Sequence, residues 1–189
     1  MRADAARNRE QLLAAAVAAF SRDDPEVTLE SIARDAGVGI GTLYRHFPSR
    51  EALVDAAYRS ELARLCDAVP GLLAAQPADL ALRQWAEMFL EYMTTKRGMS
   101  DALRKVVASG GNPFAESRSR LVAAFTALLA AGAADGTLRA DVEPADLMAS
   151  ISGVSLAAGN PEQREQAGRL LDLLMDGLRY RALEASARG

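Results

Sequence analysis

The chain has one cysteine and one histidine in 189 residues. A single thiol, Cys66, closes no internal disulfide, and a reducing compartment is its natural home. One imidazole, His46, gives no Cys/His cluster at metal-ligating spacing, so neither a metal centre nor a cofactor is expected. Aromatic residues are only 5% of the chain, which favours helix packing over sheet. No apolar run approaches the roughly 18 residues of a membrane span. The N-terminal MRADAARNRE has no apolar signal core, so a cytoplasmic protein without membrane contact is expected. Catalytic constellations are missing as well. Glu87 and Glu91 share a helix face without a nearby histidine, Arg83 and Glu87 read as an ion-paired solvated face, and no glycine-rich phosphate loop follows a strand. No enzyme is expected. The net charge of −3, with a pI of about 5.3, excludes coating nucleic acid by bulk charge.

What is present is helical. Half of the residues are apolar, alanine and leucine foremost, and the punctuation divides the chain into about nine helices. The first runs from about Arg7 to Ser21, with Leu13, Ala16, Val17 and Phe20 on one stripe, and Asp23, Asp24 and Pro25 stop it. Thr28 caps a second to about Ala36, and a third starts near Gly39 or Ile40 and ends at Phe47-Pro48. Ser49 caps a fourth from Arg50 to about Ala68, ended by Pro70-Gly71. Further helices are expected over about Pro77 to Lys96, from Ser100 to about Ser109, and over Glu116 to Ala131, the last closed by Gly132 and Gly136. Pro144 opens an eighth, and Asn160-Pro161-Glu162-Gln163 caps a ninth to about Leu183. The class is all-α. Residues 1–48 form one unit and 49–189 another, with the fourth helix as connector.

Residues 28–50, TLESIARDAGVGIGTLYRHFPSR, carry the most information. A small residue, Ala33, stands where the second helix must let the third approach. Four residues on, Gly37 supplies a turn position of positive φ, where a Cβ is costly. Val38 and Leu43 place apolar groups in the wedge between the helices. Such a unit sets its second helix in a DNA major groove.

The longer stretch TLESIARDAGVGIGTLYRHFPSREALVDAAY, residues 28–58, resembles the DNA-binding signature of the tetracycline-repressor (TetR) family. Turn glycine, TLY and terminal Phe stand together at that family's spacing. The resemblance implies a homeodomain-like three-helix unit followed by a helical effector-binding and dimerisation domain. It also implies a ligand-responsive repressor that binds a palindromic operator as a homodimer. Two positions depart from the pattern: Gly39 replaces the commoner serine cap, and Ile40 stands where a polar or basic residue is frequent. Both leave fewer polar base contacts.

On this reading Tyr44 and His46 anchor phosphates, and Arg45 reads guanine O6 and N7 with its guanidinium fork. Ile40 presses on a thymine methyl, Gly41 lets backbone approach the duplex, and Thr42 reaches a phosphate or a base. Thr28 and Arg50 add phosphate contacts, and Arg2, Arg7 and Arg9 form a minor-groove arm. Leu43 and Phe47 are core. Residues 1–50 hold seven Lys/Arg and seven Asp/Glu, so Asp23, Asp24 and Glu26 must turn away from the DNA.

A second constellation lies on the fifth helix. Leu82, Trp85, Met88, Phe89 and Tyr92 share a face that is either bundle core or, with Phe125 and Leu128 opposite, the lining of a pocket for a small, largely apolar or aromatic effector. Leu147, Met148, Ile151, Val154, Leu170, Leu171, Leu174 and Leu178 make the last two helices apolar over wide faces. The resemblance implies that these helices pair with their copies in a dimer. The alternative function is a helical effector-binding protein with weakened or lost DNA binding.

Overall fold

A computed structural model describes the backbone of residues 2–21, 27–157 and 161–186, and the side chains of 4–21, 27–157 and 163–179. Asp23, Asp24, Pro25, Glu26 and Asn160, with the side chains of Arg2 and Glu162, lie outside the described residues. Among the described residues there are nine helices and no strand, an all-α fold. They are α1 (Arg2–Phe20), α2 (Leu29–Asp35), α3 (Ile40–His46), α4 (Arg50–Ala75), α5 (Ala78–Gly98), α6 (Ser100–Ala108), α7 (Ser117–Asp135), α8 (Pro144–Leu156) and α9 (Pro161–Ser186). Among the described residues no helix is long and apolar enough to cross a membrane.

The chain forms two compact units, one of residues 1–63 with 95–115, the other of 64–94 with 116–189. In the first, Leu12, Leu13, Ala16 and Phe20 of α1 are buried, as are Ile32 and Ala33 of α2 and Leu43 of α3. Met99, Leu103 and Val106, around and within α6, are buried in the same unit. In the second, the core is Leu82, Trp85, Phe89 and Tyr92 of α5 with Phe125 and Leu128 of α7. Arg83–Asp172 and Arg179–Asp79 ion pairs, each at 2.8 Å, tie α5 to α9.

Three boundaries differ from those read in the sequence. First, α1 begins at Arg2, not Arg7, because Asp4 and the alanines around it suit a first helical turn. Arg7 and Arg9 therefore lie within a helix rather than on an extended arm.

Second, α4 continues through Pro70-Gly71 to Ala75. A proline inside a helix costs about 3 kcal/mol. Here Pro70 and Gly71 face solvent, Leu62, Leu65 and Val69 form a buried stripe up to the break, and Leu72 and Leu73 beyond it are half-buried. The Trp85 indole N–H donates to the Leu65 carbonyl at 2.8 Å, one turn before the proline. Packing of the stripe outweighs the local stop signal.

Third, Gly132 lies inside α7, which ends at Gly136. A Cβ at 132 would meet the Leu138 side chain at 2.3 Å, so this glycine makes room for the returning chain. The Leu138 N–H comes back to the Gly132 carbonyl at 3.0 Å.

Candidate nucleic-acid interface

The turn between α2 and α3 is built from backbone hydrogen bonds that its sequence anticipates. Thr28 caps α2: its hydroxyl accepts from the Ser31 N–H at 3.1 Å, and Ser31 Oγ accepts from the Thr28 N–H at 3.3 Å. This reciprocal box satisfies two amides that the helix start leaves open. At the other end Gly37 adopts φ +69°. Its N–H bonds the Arg34 carbonyl at 3.0 Å, and the Val38 N–H bonds the Ala33 carbonyl at 2.9 Å, a complete Schellman motif. Nothing lies within 4 Å of a Cβ built at Gly37, so it is the dihedral, and not crowding, that calls for glycine.

The motif delivers α3 with one face down and one face out. Leu43 and Phe47, four residues apart, are buried at 0% and 3% exposure. Ile40 and Tyr44, also four apart, are exposed at 36% and 48%. Gly41 and Arg45 are exposed beside them, and Thr42 and His46 stand at the margins. The six α3 residues proposed from sequence therefore run from one open face to its edges. The helix is only seven residues long, and its Gly39 cap contributes no side-chain hydrogen bond.

The remaining candidates have structural duties of their own. Thr28 is exposed, but its hydroxyl is already the N-cap of α2. The Arg50 guanidinium donates to the Val27 carbonyl and lies 4.9 Å over the Phe20 ring, so it braces α1 and the lead-in to α2 against the start of α4. Arg9 lies 5.6 Å over the Phe47 ring, which places it against the foot of α3. Arg45 donates from Nε to the Gly41 carbonyl at 3.2 Å and from Nη2 to Thr42 Oγ1 at 3.0 Å. Ser49 Oγ caps α4, accepting from the Ala52 N–H at 3.1 Å.

Comparison with known proteins agrees with this geometry. Residues 12–57 match the family model described as bacterial regulatory proteins, tetR family. Residues 76–180, more than half of the chain, match that of the SbtR-like transcriptional regulator C-terminal domain. The chain belongs to the TetR family.

Among solved structures, this TetR-family regulator is similar to the TetR transcriptional regulator SCO0520 from Streptomyces coelicolor. The two share 56% identity over 90% of this chain and 98% of that one, with a TM-score of 0.87. It is also similar to the TetR transcription regulatory protein from Mycobacterium vanbaalenii, at 34% identity over 94% and 98% of the two chains and a TM-score of 0.78. The reduced form of NemR from E. coli, at 19% identity over 90% and 97% and a TM-score of 0.66, shares the fold alone. The function that follows is transcription regulation by a helix-turn-helix protein.

In the C-terminal part of this TetR-family chain, Trp85, Phe89, Tyr92, Phe125 and Leu128 are all buried, and Met88 is half-buried. The rings fill one another's space: Trp85 and Phe125 meet edge-to-face with centroids 4.8 Å apart, and Phe89 lies 5.7 Å from Phe125. In this conformation they form core, and a ligand between them must displace rings.

The apolar residues of α8 and α9 fall into two sets that share Leu178, with Met148 half-buried and in neither. Leu147, Ile151, Leu171 and Leu178 are buried within their own unit. Val154, Leu170 and Leu174 line a groove of about 470 Å³ together with Leu173. Leu173 is 70% exposed and Leu156 73% exposed, and the sequence reading passed over both. In a helix as leucine-rich as α9, only a partner-by-partner account of burial separates Leu173 from Leu171.

Proposed function

We propose that the chain is a ligand-responsive repressor that binds a palindromic operator as a homodimer. The observation that carries the DNA-binding reading is the polarity of α3: Leu43 and Phe47 hold it down while Ile40 and Tyr44 stand open to solvent. An isoleucine and a tyrosine exposed on one face of a short helix are a poor surface for water and a good one for a groove. Tyr44 and His46 would position the helix on phosphates, with Thr28 and Arg50 flanking it. Arg45 and Ile40 would meet base edges, and Gly41 would let the backbone approach.

In the same proposal residues 1–48 are the DNA-binding domain and 49–189 the effector-binding and dimerisation domain, in a cytoplasmic protein with no enzymatic activity. Two recognition helices must reach successive major grooves roughly 34–36 Å apart, which requires two copies. The exposed Leu156 and Leu173 and the groove between α8 and α9 support pairing through those helices. A small, largely apolar or aromatic effector binding beside Trp85, Met88, Phe89, Tyr92, Phe125 and Leu128 would move the rings and favour a spacing unfit for DNA. Ligand and operator would then weaken each other by the same free energy.

The test is selection of fragments from the source genome by the purified protein at physiological salt, beside a Tyr44→Ala/His46→Ala variant. A shared inverted repeat enriched by the wild type alone is expected. Enrichment of the same repeat by the variant would remove α3 from the interface.

A further inference from the structure

Arg45 is the exposed cation of α3, and its side chain is not free to roam. Its Nε–H donates to the Gly41 carbonyl at 3.2 Å and its Nη2 donates to Thr42 Oγ1 at 3.0 Å. A guanidinium has two edges that can form a pair of parallel hydrogen bonds. The side edge presents Nε–H and one Nη2–H, and the end presents Nη1–H with the other Nη2–H. Both bonds to α3 use the side edge. The end remains open, and among the described residues no carboxylate pairs with Arg45.

We propose that Thr42 is a positioning residue for sequence reading: its hydroxyl locks Arg45 along α3 so that the end of the guanidinium is presented, pre-oriented, to a guanine. This rests on the DNA-binding reading above and adds to it which residue sets specificity and how. The end edge matches the O6 and N7 acceptors of guanine, the pair an arginine recognises in the major groove. Because Gly41 and Thr42 lie one turn back, the side chain is drawn toward the N-terminal half of α3. An arginine without the lock must lose its rotamer freedom on binding, which costs affinity by about two- to tenfold for one long side chain. The bidentate contact itself discriminates its base by about 5- to 150-fold. The Thr42 hydroxyl thereby sets how sharply one base pair is read through Arg45, without contacting that pair itself.

The experiment uses the full chain and a pool of randomised double-stranded DNA, with base preference read at each position of the selected motif. Thr42→Val keeps the β-branched shape and removes the hydroxyl, Thr42→Ser keeps the hydroxyl, and Arg45→Ala removes the reader. Thr42→Val is expected to lose about two- to tenfold of preference at the base pair where Arg45→Ala loses most, and to leave the other positions unchanged. Thr42→Ser is expected to restore it, and Thr42→Val added to Arg45→Ala to change nothing further. A helix merely weakened at position 42 would instead lower affinity at every position alike. A Thr42→Val profile equal to wild type overturns the inference, as does a loss that persists when Arg45 is already alanine. A wild type that selects no motif overturns the DNA-binding reading and the inference with it.

Discussion

The guanidinium of Arg50 lies 4.9 Å over the ring of Phe20 while it donates to the Val27 carbonyl. A residue whose position suggests a phosphate contact is thus also a brace within the unit that carries α3. Arg50→Lys keeps the charge and loses the planar fork. It should lower stability by about 1–2 kcal/mol, since a stacked cation and a charged hydrogen bond each contribute on that order. Low-salt DNA affinity should fall little. Urea denaturation beside a binding titration checks this, and unchanged stability would reduce Arg50 to a surface charge.

Gly98 and Ser21 make a close backbone approach within the unit that holds α1 to α3. A Cβ at Gly98 would sit 2.3 Å from the Ser21 carbonyl oxygen, so the ends of α1 and α5 touch main chain to main chain. Gly98→Ala should destabilise by about 1–3 kcal/mol, the usual cost of forcing atoms into filled space. Gly71→Ala is the control: nothing lies within 4 Å of its Cβ, in a helix, and it should stabilise by up to about 1 kcal/mol. Equal effects of the two in thermal unfolding would contradict the packing at Gly98.

Tyr44 is 48% exposed and lies outside the buried core, so Tyr44→Ala should leave thermal stability within about 0.5 kcal/mol of wild type. Affinity should fall by about the same factor for operator and for unrelated duplexes, because a phosphate contact carries no sequence information. A loss confined to the operator would make Tyr44 a base reader.

On α9, Leu171 and Leu173 are two residues apart and have opposite fates. Leu173→Glu should give a folded monomer by sedimentation, since the side chain is 70% exposed within the chain. Leu171→Ala, at 1% exposure, should cost about 2–5 kcal/mol of stability. A Leu173→Glu protein that remains dimeric would place the interface elsewhere.

Asp135 ties two helix ends together. Its carboxylate accepts from the Ala78 N–H at 3.1 Å, at the start of α5, and from the Thr137 N–H at 3.0 Å and hydroxyl at 2.6 Å. Desolvation raises its pKa, but the Thr137 and Ala78 hydrogen bonds outweigh it and hold the group below its ordinary 3.8. A depressed carboxylate adds stability that is full above the unfolded value and is lost as pH falls through the folded one. Asp135→Asn should therefore be less stable than wild type at pH 7, and the gap should close below about pH 3.8. A gap independent of pH would mean that charge plays no part.

The recognition unit was legible because its signals are local. The Thr28 cap, the positive φ at Gly37 and the Leu43/Phe47 spacing each act within about one helical turn. Pro70-Gly71 is equally local and misleads, since the stop it signals is overridden by the buried stripe Leu62, Leu65 and Val69. The aromatic stripe of α5 was correctly seen as one face. Its tight closure against Phe125 depends on a helix about 40 residues away in sequence.

By itself the sequence determined the helical class, the turn geometry and the residues offered by α3, because periodicity, caps and a left-handed glycine are properties of short stretches. Only the tertiary structure decided which of those residues are already engaged. Arg50 is bound to Val27 and Phe20. Leu171 is buried while Leu173 stays exposed. These outcomes rest on partners that meet across space, where burial and hydrogen-bond geometry choose among side chains that the sequence pattern treats as equivalent.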